Sequence, residues 1–123
     1  MPVDEYATPC SITGTPDENL QSIHDKMQSG GVRHVPIFEG DKLLGIITDR
    51  DLRNFQFALD SVIVEKVMAK DVYQVVSGTL LREVVFEMSE KKLGSVIVFD
   101  KENDEYSIFT SIDALNALNE ILR

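Results

Sequence analysis

Cysteine is almost absent from this chain. Cys10 stands alone among 123 residues, which excludes an internal disulfide framework and offers no metal cluster by itself. Positive charge is scarce as well: 12 lysines and arginines face 21 aspartates and glutamates, a formal charge of −9. Affinity for DNA and RNA comes mainly from clustered basic side chains that neutralise phosphates, so this balance argues against general nucleic-acid binding. Any anion the protein holds must be held by a local arrangement of groups. No run of about 18 apolar residues that could span a bilayer occurs, and the start Met1, Pro2, Val3, Asp4, Glu5 has neither the basic nor the apolar region of a signal peptide. A soluble cytoplasmic protein with no membrane contact is expected. A paired acid and base, a metal-spaced cluster and a phosphate loop are missing too, so nothing here supports catalysis.

What the chain does have is a phrase stated twice. Gly45, Ile46, Ile47, Thr48, Asp49, Arg50, Asp51 returns as Ser107, Ile108, Phe109, Thr110, Ser111, Ile112, Asp113. Each copy sets a threonine and an aspartate three residues apart, directly after an apolar strand. The repetition extends upstream, where Leu20, Ile23 and Met27 match Leu81, Val84 and Met88, and Val35, Ile37 and Phe38 match Val96, Val98 and Phe99. One extra residue between Lys101 and Tyr106 brings the second motif into line. Internal repetition of this kind describes the fold before any single residue does.

Thr15, Pro16 and Glu18 read as a helix start, with threonine as N-cap, proline at the first helical position and glutamate completing a capping box. Leu20, Ile23, His24 and Met27 follow on one helical face, and Gly30 and Gly31 supply the stop. Residues 32–38 read as a strand, 39–42 as a turn, 43–48 as the returning strand, and a second helix begins near Asp49. The second half repeats this order with strands at 72–76, 95–99 and 106–110 and helices at 80–91 and 111–122. Ala114, Leu115, Leu118, Ile121 and Leu122 form a broad apolar stripe on the last helix. Phe55, Phe57, Leu59, Val62, Ile63 and Val64 are too apolar for a solvated linker and are expected to pack. The expectation is an α+β fold of two pseudo-symmetric β-α-β-β-α repeats, 1–60 with the N-terminal segment and 61–123, with sheets packed together and helices outside.

These residues resemble a known family. The Gly, apolar, apolar, Thr, two residues, Asp motif, the Val35, Pro36, Ile37 strand before it and the Pro16 to Met27 helix start are similar to cystathionine β-synthase (CBS) domains, which occur in tandem pairs called Bateman modules. The resemblance covers about residues 7 to 122. It implies a regulatory module that binds AMP, ADP or ATP, or S-adenosylmethionine, in clefts between the repeats, with no resident cofactor required. It implies that Thr48 and Asp51 hold ribose and phosphate at one site, and Thr110 and Asp113 at its partner. It implies an adenine wall of Ile12, Thr13, Gly14, Val32, Arg33, His34, Val35 and Pro36 at the first site, and of Tyr73, Gln74, Val75, Gly94, Ser95 and Val96 at the second. It also implies disc-like homodimers made through the helices.

The residues themselves support such chemistry. An ionised aspartate accepts from ribose hydroxyls, a threonine hydroxyl donates to phosphate, and a helix start adds backbone amides. Arg50 and Arg53 lie where guanidinium groups can pair with phosphate; Arg33 and Arg50 read equally as surface charges that offset the acidic excess, and His34 equally as a plain strand residue. The matching stretch Ile112, Ala114, Leu115 has no cation, so the first motif is the expected anchor. Ser107, Ile97 and Ser77 replace Gly45, Pro36 and Pro16, and Gly14 stands where the family has an apolar strand residue. The same Thr, two residues, Asp spacing is also a capping box, which needs no ligand. His24 reads as a core or interface residue, Cys10 as a packed thiol, and Met27 and Met88 as packing residues. The acidic run 100–105 reads as a solvated turn or as a weak Mg²⁺ contact alongside ATP. Two functions stay open: a nucleotide sensor acting on a partner chain, and a structural interaction protein that has lost its ligand.

Overall fold

The computed structural model describes residues 1–123 and shows an α+β chain of two repeats. In order, its elements are β1 (Thr8–Pro9), α1 (Leu20–Gly30), β2 (His34–Glu39), β3 (Lys42–Thr48), α2 (Asp49–Arg53), β4 (Gln74–Val76), α3 (Leu81–Lys91), β5 (Ser95–Asp100), β6 (Glu105–Thr110) and α4 (Ser111–Ile121). Short 3₁₀ turns at Val3–Glu5 and Val64–Lys66 open the two repeats.

The packing does not divide where the repeats divide. One compact unit, here the first, is Ser11–Val72; the second is Met1–Cys10 together with Tyr73–Arg123. The 60/61 boundary separates sequence copies, but each copy's opening residues are built into the other copy's core. β1 pairs antiparallel with β6, Thr8 opposite Ile108 and Pro9 opposite Ser107. At the matching place, Ala69 bridges Ile46 of β3, with amide bonds of 3.0 and 2.9 Å in the two directions. Val3 is fully buried in the second unit's core and Val64 in the first's.

In the second unit the sheet runs β1-β6-β5-β4, with β4 parallel to β5. In the first, β2 and β3 form a two-stranded sheet. The strand expected near residue 12 is reduced to one parallel bridge from Gly14 to Ile37, with Gly14 N–H on the Pro36 carbonyl at 3.0 Å. Gly14 has a packing reason of its own: a Cβ there would lie 2.6 Å from Ile23 Cδ1 and 3.1 Å from Ile37 Cδ1. The motif glycine, Gly45, is explained the same way. A Cβ there would meet the Ala69 carbonyl oxygen at 2.6 Å, so a side chain at position 45 would have to push the exchanged segment aside.

Two expectations need correction. The first helix begins at Leu20, capped by Asn19, whose side chain accepts from Ser22 N–H at 2.9 Å. Thr15 to Glu18 instead closes a separate turn, with Thr15 N–H on Glu18 Oε1 at 2.8 Å, because Glu18 reaches forward to Ser22 and to Lys26 at 2.9 Å. In the apolar connector, Phe55, Leu59 and Val62 pack on the core, but Phe57 is 95% exposed and Ile63 is exposed. Successive turns closed by Ala58 N–H on Phe55 O and Ser61 N–H on Ala58 O give that segment an inner and an outer side.

Candidate functional site

Both motifs fold as reciprocal caps. Thr48 N–H donates to Asp51 Oδ2 at 2.9 Å, and Asp51 N–H donates to Thr48 Oγ1 at 3.3 Å. Thr110 and Asp113 repeat this at 2.8 and 3.4 Å. The ligand-free reading of the spacing is thus physically realised in both copies, and each aspartate keeps a second oxygen, Oδ1, outside the cap. The hydroxyls differ. Thr110 Oγ1 donates to Asp113 Oδ2 at 3.1 Å, whereas the Thr48 hydroxyl hydrogen has no such protein acceptor and can serve a ligand oxygen.

Strand register brings further groups to each cap. His34 stands opposite Thr48 in the sheet, and Asp49 N–H donates to the Arg33 carbonyl at 3.0 Å. Ser95 stands opposite Thr110, and Ser111 N–H donates to the Gly94 carbonyl at 3.0 Å. Position for position, Arg33, His34, Arg50 and Arg53 of the first copy are Gly94, Ser95, Ile112 and Leu115 in the second. Arg50 is exposed, and Arg53 is only loosely paired with Asp49 at 3.9 Å. Burial lowers the pKa of half-buried His34; the carboxylates of Asp49 and Asp51 oppose that shift, and Arg33 adds to it.

The remaining wall residues are placed less uniformly. Val35 and Pro36 are fully buried, Val35 in the first core, so their side chains are already covered. Ile12 packs on the first core with its Cδ1 at the Gly30 end of α1. Beside it, Lys26 Nζ holds the Thr13 carbonyl at 2.8 Å. Val32 and Arg33 border a hollow of about 570 Å³ that also takes in His24, Asp49, Arg53 and Gln56. In the second unit, Val96 is fully buried, Val75 packs on the core, and Tyr73 has Lys91 Nζ 5.0 Å from its ring centre. The contrast of Arg33 and His34 with Gly94 and Ser95 was visible in the sequence, but only the strand register shows that these positions flank the motif.

Other polar residues are occupied by structure. Asp100 accepts Glu102 N–H at 3.0 Å and the Asn103 side chain at 2.8 Å, organising its acidic turn. Burial pushes the Cys10 thiol up to about 11, leaving it protonated at neutral pH. No cluster of three metal-ligating side chains is gathered anywhere in the chain, and no helix is long and apolar enough to cross a membrane.

Comparison with known proteins agrees with this architecture. The chain is 28% identical to the uncharacterized protein MJ1225 of Methanocaldococcus jannaschii over 92% of its own length and 45% of that protein's; it spans about half the length of the curated relatives it matches. It superposes on AcuB of Vibrio cholerae, a protein named for acetoin utilization, with a TM-score of 0.85 at 28% identity, covering 99% of this chain and 93% of that one. CBSX2, solved in complex with AMP, gives 0.83 at 20% identity over 99% and 98% of the two chains. The CBS domain pair of MJ0100, solved with 5′-methylthioadenosine and S-adenosyl-L-methionine, gives 0.83 at 24% over 96% and 99%. The sequence pattern of the CBS domain matches twice, at residues 3–57 and 64–120, and the chain belongs to the CBS domain family.

Proposed function

We propose that this chain is a regulatory module that binds an adenosine nucleotide at the Thr48–Asp51 motif and carries out no chemistry itself. Asp51 Oδ1 accepts from a ribose hydroxyl, the Thr48 hydroxyl donates to a phosphate oxygen, and Arg50 and Arg53 neutralise phosphate. The observation that carries this reading is the grouping of Arg33, His34, Arg50 and Arg53 by strand register and helix start around one cap, in a chain of charge −9. Thr110 and Asp113, with Tyr73, Val75, Ser95 and Val96, form at most a weaker second site. AMP, ADP and ATP are the ligands of first choice and S-adenosylmethionine the next; AMP in CBSX2 and S-adenosyl-L-methionine in MJ0100 support an adenosine compound. The nucleotide acts as a regulatory ligand and not as a resident cofactor. Its differential affinity for two conformations biases contact with a regulated partner. The protein works in the cytoplasm as a homodimer.

A second reading, a structural interaction protein that has lost its ligand, is favoured by one observation: both aspartates already serve as caps. Isothermal titration and thermal melting with AMP, ATP and S-adenosylmethionine separate the two. Sensing predicts saturable heat and a raised melting temperature with at least one of them; no heat and no shift with any leaves the structural reading.

A further inference from the structure

One edge of the second unit's sheet is β4, which pairs on a single side, with β5. Ile97 N–H donates to the Tyr73 carbonyl at 3.0 Å and Ser77 N–H to the Phe99 carbonyl at 2.8 Å. In a parallel ladder alternate residues bond to the neighbouring strand, so Tyr73, Val75 and Ser77 turn their backbone groups to β5. Gln74 and Val76 turn theirs to the open side. The Val76 carbonyl is taken by the Thr79 amide and hydroxyl, at 3.2 and 2.7 Å. The Gln74 N–H and carbonyl and the Val76 N–H meet no protein group, and both residues are exposed.

The first unit shows how such an edge is closed. Gly14 stands where the second copy has Val75 and faces β2, with Gly14 N–H on the Pro36 carbonyl and Phe38 N–H on the Gly14 carbonyl. On the outward side, the Thr13 carbonyl accepts from Lys26 Nζ at 2.8 Å, and Thr15 N–H donates to Glu18 Oε1 at 2.8 Å. Lys26 and Glu18 are themselves paired at 2.9 Å. Charged side chains set against an edge in this way keep other chains from pairing with it. In the second copy Thr79 and Glu87 replace Glu18 and Lys26. Glu87 turns to Lys91 at 3.1 Å, and its carboxylate has no proton to offer the Gln74 carbonyl. Both halves of the clamp are missing.

Beside the open edge lies a hollow of about 600 Å³ lined by Tyr73, Thr79, Arg82, Glu83, Phe86 and Glu87. Phe86 replaces Asp25 of the first copy and is 61% exposed. Free backbone groups next to an aromatic hollow suit an extended segment that adds as a strand, held by main-chain bonds while alternate side chains enter the hollow. Charge selects the segment. Within the hollow Arg82 offsets Glu83 and Lys91 offsets Glu87, but past Val76 the edge ends in carboxylates. Asp4 accepts from the Ser77 hydroxyl and from Gly78 N–H, and Asp100 lies within reach of its charge. A lysine or arginine complements that end. The chain's own residues 72–77 contain neither, so the β4 of a second copy matches it less well. We propose that β4 and the adjoining side of α3 dock an extended segment of a partner protein, with an apolar residue over Phe86 and a basic residue beside Asp4 and Asp100. This surface shares no residue with the Thr48–Asp51 site, so it stands or falls independently of nucleotide binding there.

The probe is a displayed library of random peptides of about eight residues, the length of a strand, selected on the full chain. Selected peptides are expected to alternate apolar and polar residues, to carry lysine or arginine, and to bind in the micromolar range typical of small interfaces. In hydrogen exchange followed by NMR, a bound peptide should slow the Gln74 and Val76 amides about 10-fold or more. The double change Thr79→Glu with Glu87→Lys installs the first copy's clamp and should weaken binding about 10-fold or more. Gln74→Pro, which removes an outward donor and no bond to β5, should do the same if the double variant folds poorly. No saturable binder, binders that leave both amides exchanging freely, or binders indifferent to both variants would overturn the proposal. Protection of these amides that grows with protein concentration in the absence of peptide, and disappears in Gln74→Pro, would also overturn it and assign the edge to a second copy.

Discussion

In the first unit the turn from strand to helix at Thr48 is flanked by Arg33, His34, Arg50 and Arg53; in the second, the turn at Thr110 is flanked by Gly94, Ser95, Ile112 and Leu115. The backbone bonds of the caps hardly differ, at 2.9 and 3.3 Å in one and 2.8 and 3.4 Å in the other, and only the Thr110 hydroxyl adds a bond to its aspartate, at 3.1 Å. The Thr and Asp pair does the same local work in both places, capping a helix directly after a strand. The side chains around the pair are free to diverge, and they have: one copy gathered charge and the other gathered leucine and isoleucine.

The largest expected effect probes the cores. Ile47 and Phe109 occupy matching positions and are both fully buried. Phe109→Ala should cost about 3–5 kcal/mol and Ile47→Ala about 2–5 kcal/mol by chemical denaturation. Neither should be tolerated as a surface change would be; a loss below about 1 kcal/mol at either would mean that its unit's core is not the one described. Next comes Gly45→Ala, whose new Cβ must push on the Ala69 backbone; about 1–3 kcal/mol is expected, while Ser107→Gly in the other copy should cost less. Equal costs would mean that the Ala69 carbonyl does not crowd position 45. Thr48→Ala and Thr110→Ala should each cost about 1 kcal/mol, the worth of an N-cap, with Thr110→Ala the costlier because it also loses the bond to Asp113 Oδ2; a costlier Thr48→Ala in melting curves would contradict this order.

The smallest effect is a pH dependence confined to the first unit. Burial holds the pKa of His34 below its ordinary value of 6.5, so the folded protein resists a proton that the unfolded chain accepts. Stability is then fully present above about pH 6.5 and declines as pH falls through that value toward the lowered folded pKa. Glu18 adds nothing in this window. Burial works to raise its pKa but is outweighed by hydrogen bonds from Ser22, Lys26 and Thr15, so its contribution is lost only at more acidic pH. His34→Ser, which installs the second copy's residue, should flatten the melting temperature between pH 7.5 and 5.5; an unchanged slope would assign the dependence elsewhere.

Much of this comparison was legible in the sequence. The repeat, the order of elements along the chain and the Thr and Asp pairs follow from spacing, because periodicity and capping are local properties. The exchange of opening segments was not legible: a repeat in sequence says what is similar, and only the bridge from Ala69 to Ile46 and the pairing of β1 with β6 say which core each segment joins. Thr15 and Asn19 are both good caps, and the choice between them depended on the long-range bond from Leu20 N–H to the Val62 carbonyl at 2.9 Å. The exposure of Phe57 depended on turns that composition does not encode.

Titration of AMP into the Asp51→Ala and Asp113→Ala proteins tests the central claim most directly, because each change removes the same cap and leaves the surrounding charges in place. Loss of most AMP affinity in Asp51→Ala, with Asp113→Ala binding as the parent protein does, is the predicted result. Affinity lost in Asp113→Ala and kept in Asp51→Ala would contradict it.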